Sequence, residues 1–214
     1  MSQVRQFFRA RFSKQGDVRF TSHHDLMRLF ERAIRRAQLP VAMSQGYNPR
    51  PQISLPAPLS VGFWGENEVV DFELCSWLRP AEVQERLAVQ LPVGIDLFSL
   101  RAVPTRPDRQ PRHFSYRIPL MEGHPVTQEA LKDLLGTDEI IVERQKKGKV
   151  KEKNIAQFLR AARVVENQLH MLLAMTNRGT ARPEEVLRAL GCRPGRDYLK
   201  SSVVRTHVDL SSSL

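Results

Sequence analysis

The sequence predicts an α+β protein built as two ferredoxin-like halves in tandem, each with the element order β-α-β-β-α-β. Three observations lead there. Strand-like and helix-like hydrophobic periods follow that order over residues 1–103 and again over residues 113–214. The stretch Leu78-Arg79-Pro80-Ala81-Glu82-Val83 is echoed by Ala181-Arg182-Pro183-Glu184-Glu185-Val186, each ahead of a helix and a last strand. Between the halves, residues 104–112 form a linker in which Pro104, Pro107 and Pro111 are interleaved with Arg106, Arg109 and Arg112.

In the first half, Val4, Phe8, Ala10 and Phe12 alternate with Arg5, Arg9 and Arg11, the period of a half-buried strand. Gln15-Gly16-Asp17 supplies a turn. Ser22 or Asp25 can cap a helix running to about residue 37. At about 100° per residue, that helix gathers Leu26, Leu29, Phe30, Ala33, Ile34 and Ala37 on one side. Arg28, Arg32, Arg35 and Arg36 fall on another, and Pro40 stops the helix. Ile53-Ser54-Leu55 and Leu59-Ser60-Val61 read as strand fragments broken by Pro56 and Pro58. Val70, Phe72 and Leu74 then alternate with Asp71 and Glu73; Pro80 opens a second helix, and residues 95–102 return as a strand. With Arg9 and Arg11 outward on one strand and Asp71 and Glu73 outward on another, cross-strand ion pairs are expected. The second half repeats the order with a strand at 114–118, a helix capped by Thr127, strands at 139–145 and 167–175, a helix at 182–190 and a strand at 199–209.

Composition narrows the function. A hydrophobic content of 41% with 26% charged residues is that of a globular protein. No apolar run is long enough to span a bilayer, and Arg5, Arg9 and Arg11 interrupt what would be a signal-peptide core. Cys75 and Cys192 lie far apart without partner spacing, which argues against a disulfide framework or zinc site and for a reducing cytoplasm. The net charge is +10 and the pI about 10.2. Such a field favours phosphate-rich partners, and without an amphipathic anchor or lipidation signal those are nucleic acids rather than membranes. The first 103 residues hold 13 Lys and Arg against 10 Asp and Glu; the remainder hold 20 against 13.

Four features could carry chemistry. His23, His24 and Asp25, with Tyr47 as a helper, are acid/base candidates. Adjacent histidines project in different directions, so no metal site is expected; equally, Ser22 and Asp25 could simply satisfy the first-turn amides. Arg28, Arg32, Arg35 and Arg36 repel one another unless an anion sits opposite or Glu31 and other acids neutralise them. Gly46-Tyr47-Asn48-Pro49-Arg50-Pro51 combines close backbone approach, stiffness, an aromatic ring and a guanidinium, the materials for holding unpaired RNA. Its alternative is a rigid crossover whose tyrosine plugs the core. Lys146, Lys147, Lys149, Lys151 and Lys153 around Gly148 make a basic hairpin tip able to track a phosphate backbone, or a solvated loop. A Gly-rich phosphate loop, a nucleophile elbow and an iron–sulfur Cys cluster are all missing, so no cofactor is expected in this chain and nothing announces an enzyme.

Phe20-Thr21-Ser22-His23-His24-Asp25-Leu26-Met27-Arg28, Ser44-Gln45-Gly46-Tyr47-Asn48-Pro49-Arg50-Pro51 and Pro58-Leu59-Ser60-Val61-Gly62, with Arg178-Gly179-Thr180-Ala181-Arg182-Pro183 later, resemble the radical SAM-linked protein family. His24, Tyr47, Arg50 and Gln52 stand where that pattern has leucine, phenylalanine, histidine and lysine. The resemblance implies association with a radical SAM protein that carries a cobalamin-binding-type domain, in which all radical chemistry would reside. The expectation is therefore a cytoplasmic RNA-binding accessory protein that works with a radical SAM enzyme in RNA modification or processing. One alternative is a metal-independent RNA-processing or RNA-modifying enzyme with His23 or His24 as acid/base; paired ferredoxin-like halves are similar to those of CRISPR RNA endonucleases and some pseudouridine synthases. Another is a protein-only adaptor docking through exposed aromatics at Phe63 and Trp64.

Overall fold

The computed structural model describes residues 4–107, 110–146 and 148–210. The chain is mixed α+β with four α-helices among the described residues. It divides into two compact units, one running to Gln110 and the other spanning Pro111–Asp209. Pro111 and Arg112, assigned to the linker from composition, instead open the first strand of the second unit, and Arg109 lies outside the described residues.

The first unit contains β1 (Gln6–Lys14), α1 (His23–Arg36), β2 (Ile53–Ser54), β3 (Trp64–Leu74), α2 (Pro80–Ala88) and β4 (Ile95–Val103). Its strands lie in the order β4-β1-β3-β2 and every neighbouring pair is antiparallel. Phe8, Ala10 and Phe12 of β1 and Val70, Phe72 and Leu74 of β3 face Leu26, Phe30, Ala33 and Ile34 of α1 and Val83 and Leu87 of α2 in one core. Phe8 stacks on Phe72 at 5.4 Å, and Phe12 meets Phe30 edge-on at 4.9 Å. Helix α1 starts where Ser22 accepts the Asp25 amide at 3.2 Å. It ends at Arg36 because Gln38 turns to φ +53°; Pro40 lies beyond the stop already made. The fragment expected at 59–61 is not a strand, and the one at 53–55 shortens to the two residues of β2. Prolines on both sides remove the amide donors a longer ladder needs.

On the sheet's other face, Arg9 sits directly across from Asp71 and clasps it with two bonds, Nε–Oδ1 at 2.8 Å and a terminal guanidinium N–Oδ2 at 3.0 Å. Both side chains are buried, at 8% and 1% exposure, so the pair is desolvated. Glu73 takes Arg5 at 2.7 Å, while Arg11 lies across from Val69 and reaches Asn67 instead.

The second unit contains β5 (Pro111–Pro119), α3 (Gln128–Gly136), β6 (Ile141–Lys146), β7 (Lys149–Asn154), β8 (Leu159–Val165), β9 (Gln168–Ala174), α4 (Pro183–Ala189) and β10 (Val204–Leu210). Its sheet runs β10-β5-β9-β8, and β6 pairs only with β7 in a separate antiparallel hairpin. The strand expected at 139–145 therefore does not enter the main sheet. Its place beside β9 belongs to β8, whose sequence Leu159-Arg160-Ala161-Ala162-Arg163 offers no clean apolar alternation. Alternation is clean on β5 and β9, where Phe114, Tyr116, Ile118, Leu169, Met171 and Leu173 are buried. Thr127 caps α3 as expected, accepting the Ala130 amide at 3.1 Å.

The clasped pair yields a stability prediction. Asp71→Ala, which strands a buried guanidinium, is expected to cost about 3–5 kcal/mol in urea unfolding. The double change Arg9→Met with Asp71→Leu should recover most of that loss. Equal losses in both would show that packing, not the stranded charge, sets the cost.

Candidate nucleic-acid interface

Packing Leu26, Phe30, Ala33 and Ile34 inward turns Arg28, Arg32 and Arg35, spaced four and three residues apart, to one outer flank of α1. Facing them is an arm that leaves the helix at Leu39 and is bound along β3. The Ala42 amide donates to the Glu73 carbonyl at 2.7 Å, Gln52 to Ala42 at 2.8 Å, and Glu73 to Gln52 at 3.1 Å. Between helix and arm lies a groove of about 530 Å³ lined by Arg28, Arg32 and Arg35 on one side and Leu39, Val41, Met43 and Pro51 on the other. A second depression of about 340 Å³ shares Arg28, Glu31 and Pro51 with it and adds His24, Met27 and Arg50.

The Gly46-Tyr47-Asn48-Pro49-Arg50 segment closes on itself at the rim. The Ser44 amide donates to the Arg50 carbonyl at 2.7 Å, and the Arg50 amide donates to Ser44 Oγ at 2.9 Å. Gly46 takes φ +136°, a conformation in which a side chain is strained. Tyr47 stands fully exposed at the tip and Asn48 is exposed beside it, so the tyrosine does not plug the core.

Glu31 lines the groove beside the three arginines, yet no close ion pair forms there. Among the described residues, the side chains of Arg28, Arg32, Arg35 and Arg50 form no hydrogen bond or ion pair, and Glu31 forms no ion pair either. Arg36, counted with this flank from its spacing, is elsewhere: it binds the side chain and carbonyl of Gln90 and ties α1 to the end of α2. Three guanidiniums beside an apolar floor, with Arg50 and His24 in the adjoining depression, can hold an anion that carries flat or apolar bulk.

The adjacent histidines divide. His24 is exposed and lines the second depression, whereas His23 is half-buried, with ring centroids 6.0 Å apart. Burial first, then His24 and Lys14, lower the His23 pKa. Asp25 is engaged by Ser22, whose hydroxyl donates to Oδ2 at 2.6 Å and is the main reason its carboxyl titrates lower than usual. Among the described residues no three His, Cys, Asp or Glu side chains gather as metal ligands.

The lysine-rich hairpin is part of the second unit. Its register places Arg144, Lys149, Lys151 and Lys153 on one face, and the side chain of Lys146 lies outside the described residues. Arg144 is held by Glu185 at 2.7 Å through both oxygens and by the Thr180 carbonyl at 2.8 Å. Lys153 donates to the Arg178 carbonyl at 2.8 Å and sits 4.8 Å from the Phe158 ring centre. Lys149 and Lys151 are the exposed tip, and Lys147 lies outside the described residues. The aromatics proposed as an adaptor surface are not presented: Phe63 is 1% exposed and Trp64 packs under Arg19, 5.4 Å from its guanidinium carbon. Sequence reading also missed the groove's floor. Val41 and Met43 flanking buried Ala42 were the only signal, a three-residue alternation too short to read.

Fold and site together define a mixed α+β protein with an arginine-flanked, apolar-floored groove and no helix long and apolar enough to cross a membrane among its described residues. The chain belongs to the family of uncharacterised proteins conserved in bacteria designated DUF2344, matching it over residues 8–183. That span includes α1 and the arm. No curated protein matches the chain. A solved structure of an unknown protein from Galdieria sulphuraria is similar at 16% identity over 88% of this chain and 91% of that one, with a TM-score of 0.29.

His23 gives a test of the site's electrostatics. Its folded-state pKa lies below the ordinary value of about 6.5. The unfolded chain thus binds this proton more readily, and the histidine's contribution to stability is fully present above about pH 6.5 and lost as pH falls. Imidazole NMR should show His23 titrating below the ordinary histidine value of about 6.5, and His23→Gln should flatten the acid-side loss of stability; titration of His23 above that value would contradict the structure.

Proposed function

We propose that this chain is an RNA-binding accessory protein of the cytoplasm whose groove between α1 and the arm holds single-stranded or distorted RNA for a radical SAM partner that modifies or processes it. The observation that carries the reading is the set of guanidiniums on Arg28, Arg32 and Arg35 without carboxylate partners, opposite an apolar arm with Tyr47 and Arg50 at its rim. Phosphates would meet the arginines, and bases would lie against Met43, Val41 and Pro51 or stack on Tyr47. Asn48 adds an amide at the rim, and Lys149 with Lys151 supplies a further cationic feature on the second unit. The net charge of +10 supports the same reading.

We also infer that each unit is ferredoxin-like. In the first the strand order β4-β1-β3-β2, and in the second β10-β5-β9-β8, both place the last strand beside the first and the third between first and second. On that reading β6 and β7 are an insertion between the first helix and second strand of the later unit.

A second reading rests on His24, which lies in the second depression with Arg28 and Arg50. There it could transfer a proton during RNA processing without a metal, with the arginines binding the phosphate. Incubating RNA with the wild-type chain and with His24→Ala decides this: cleavage or modification lost in the variant supports it, and intact RNA with the wild type removes it.

Filter binding of structured RNA over a salt series tests the main reading. Arg32→Ala with Arg35→Ala is expected to weaken affinity at least about tenfold and to lower the log–log salt slope by about 2. Undetectable or salt-independent binding by the wild type would overturn it. Association with the radical SAM partner should survive ribonuclease treatment in co-purification; loss on treatment would mean that RNA alone bridges the two.

A further inference from the structure

We propose that the outer face of the second unit's sheet is a binding site for a nucleoside monophosphate, either free or as the terminal residue of a strand. Across three adjacent strands the register sets Arg163 of β8, His170 of β9 and Arg117 of β5 side by side on one face. In the first unit the corresponding third strand presents Asp71, which neutralises Arg9 within the protein. Here the third strand presents an imidazole between two arginines. Among the described residues, Arg163 and His170 have no carboxylate within ion-pairing distance.

The same face is concave, with a cavity of about 380 Å³. Ser115, Ala161, Leu172 and Thr206 form a low floor beside Arg163 and His170. Small side chains leave room for one planar ring to lie on the sheet, with Leu172 as apolar contact and two hydroxyls to orient its polar edge. The volume suits one nucleotide rather than a run of them. Arg163 supplies a fork of donors for phosphate, and His170, kept neutral by burial and then by Arg163 and Arg117, supplies a single N–H that strengthens to a full cation once an anion arrives.

The site stands on geometry separate from the groove, and its test removes the groove. In the full chain carrying Arg32→Ala and Arg35→Ala, the His170 imidazole is followed by NMR. The titrants are adenosine 5′-monophosphate, adenosine, and a short oligonucleotide with and without a 5′-phosphate. The monophosphate is expected to shift the His170 signals and raise the pH at which the ring titrates, with adenosine at least about tenfold weaker. Arg163→Gln should weaken the response about tenfold and Arg163→Lys less, with amide spectra confirming the fold; Thr206→Val gives a second, milder loss. A response to the monophosphate identifies a free nucleotide as sufficient, and a response only to the 5′-phosphorylated strand identifies a strand end. His170 signals unmoved by both, equal binding of phosphorylated and unphosphorylated ligands, or full binding by Arg163→Gln would overturn the proposal.

Discussion

Burial of Leu26, Phe30, Ala33 and Ile34 beneath α1 leaves that helix one rotational setting on its sheet. Phe30 and Ile34 have no exposed surface, and turning the helix by one residue position, about 100°, would bring Glu31 and Arg35 into their places. Each such side chain is worth roughly 1.5–3 kcal/mol when fully buried, while an unpaired buried guanidinium costs far more. The same packing that stabilises the helix therefore aims Arg28, Arg32 and Arg35 outward as a set. The groove is a consequence of the core.

The opposing wall depends on backbone rather than side chains. Residues 41–54 are too rich in proline and glycine to make a long strand, yet their remaining amides still require partners. The Ala42, Glu73 and Gln52 hydrogen bonds supply them and hold the arm along β3. Ser44 and Arg50 then close the loop so that it projects with Tyr47 in solvent. A fully exposed tyrosine on a glycine-hinged, proline-stiffened loop is poorly explained by stability and well matched to ligand contact.

The strands of the two units handle the charge on the face away from their helices differently. In the first unit Arg9 and Asp71 satisfy each other, and Arg5 covers Glu73. In the second, the row through Arg163 and His170 has no such carboxylate on the middle strand. The hairpin shows a third outcome: a basic face half-used internally, with Arg144 bound to Glu185 and Lys153 to a carbonyl, leaving Lys149 and Lys151 in solvent. Sequence charge alone distinguishes none of these, because an arginine bound to a carboxylate 62 residues away and one facing water look alike in a string.

Local periodicity by itself determined α1, with its cap at Ser22 or Asp25, and the strands β1, β3 and β4, because each depends on residues whose spacing matches a single helix or strand period; the choice of Ser22 and the register that sets Arg9 across from Asp71 came from the tertiary structure. Periodicity also determined the three groove arginines, which the helix repeat puts on one flank. Tertiary structure alone decided that Arg36 leaves that flank for Gln90, that His24 rather than His23 lines the adjoining depression, and that Leu39, Val41 and Met43 floor the groove. It likewise decided that β8, not the strand at 141–146, lies beside β9. The physical reason is common to all four: strand partnership and side-chain neighbours are set by long-range packing and hydrogen-bond satisfaction, and these carry no local period to read.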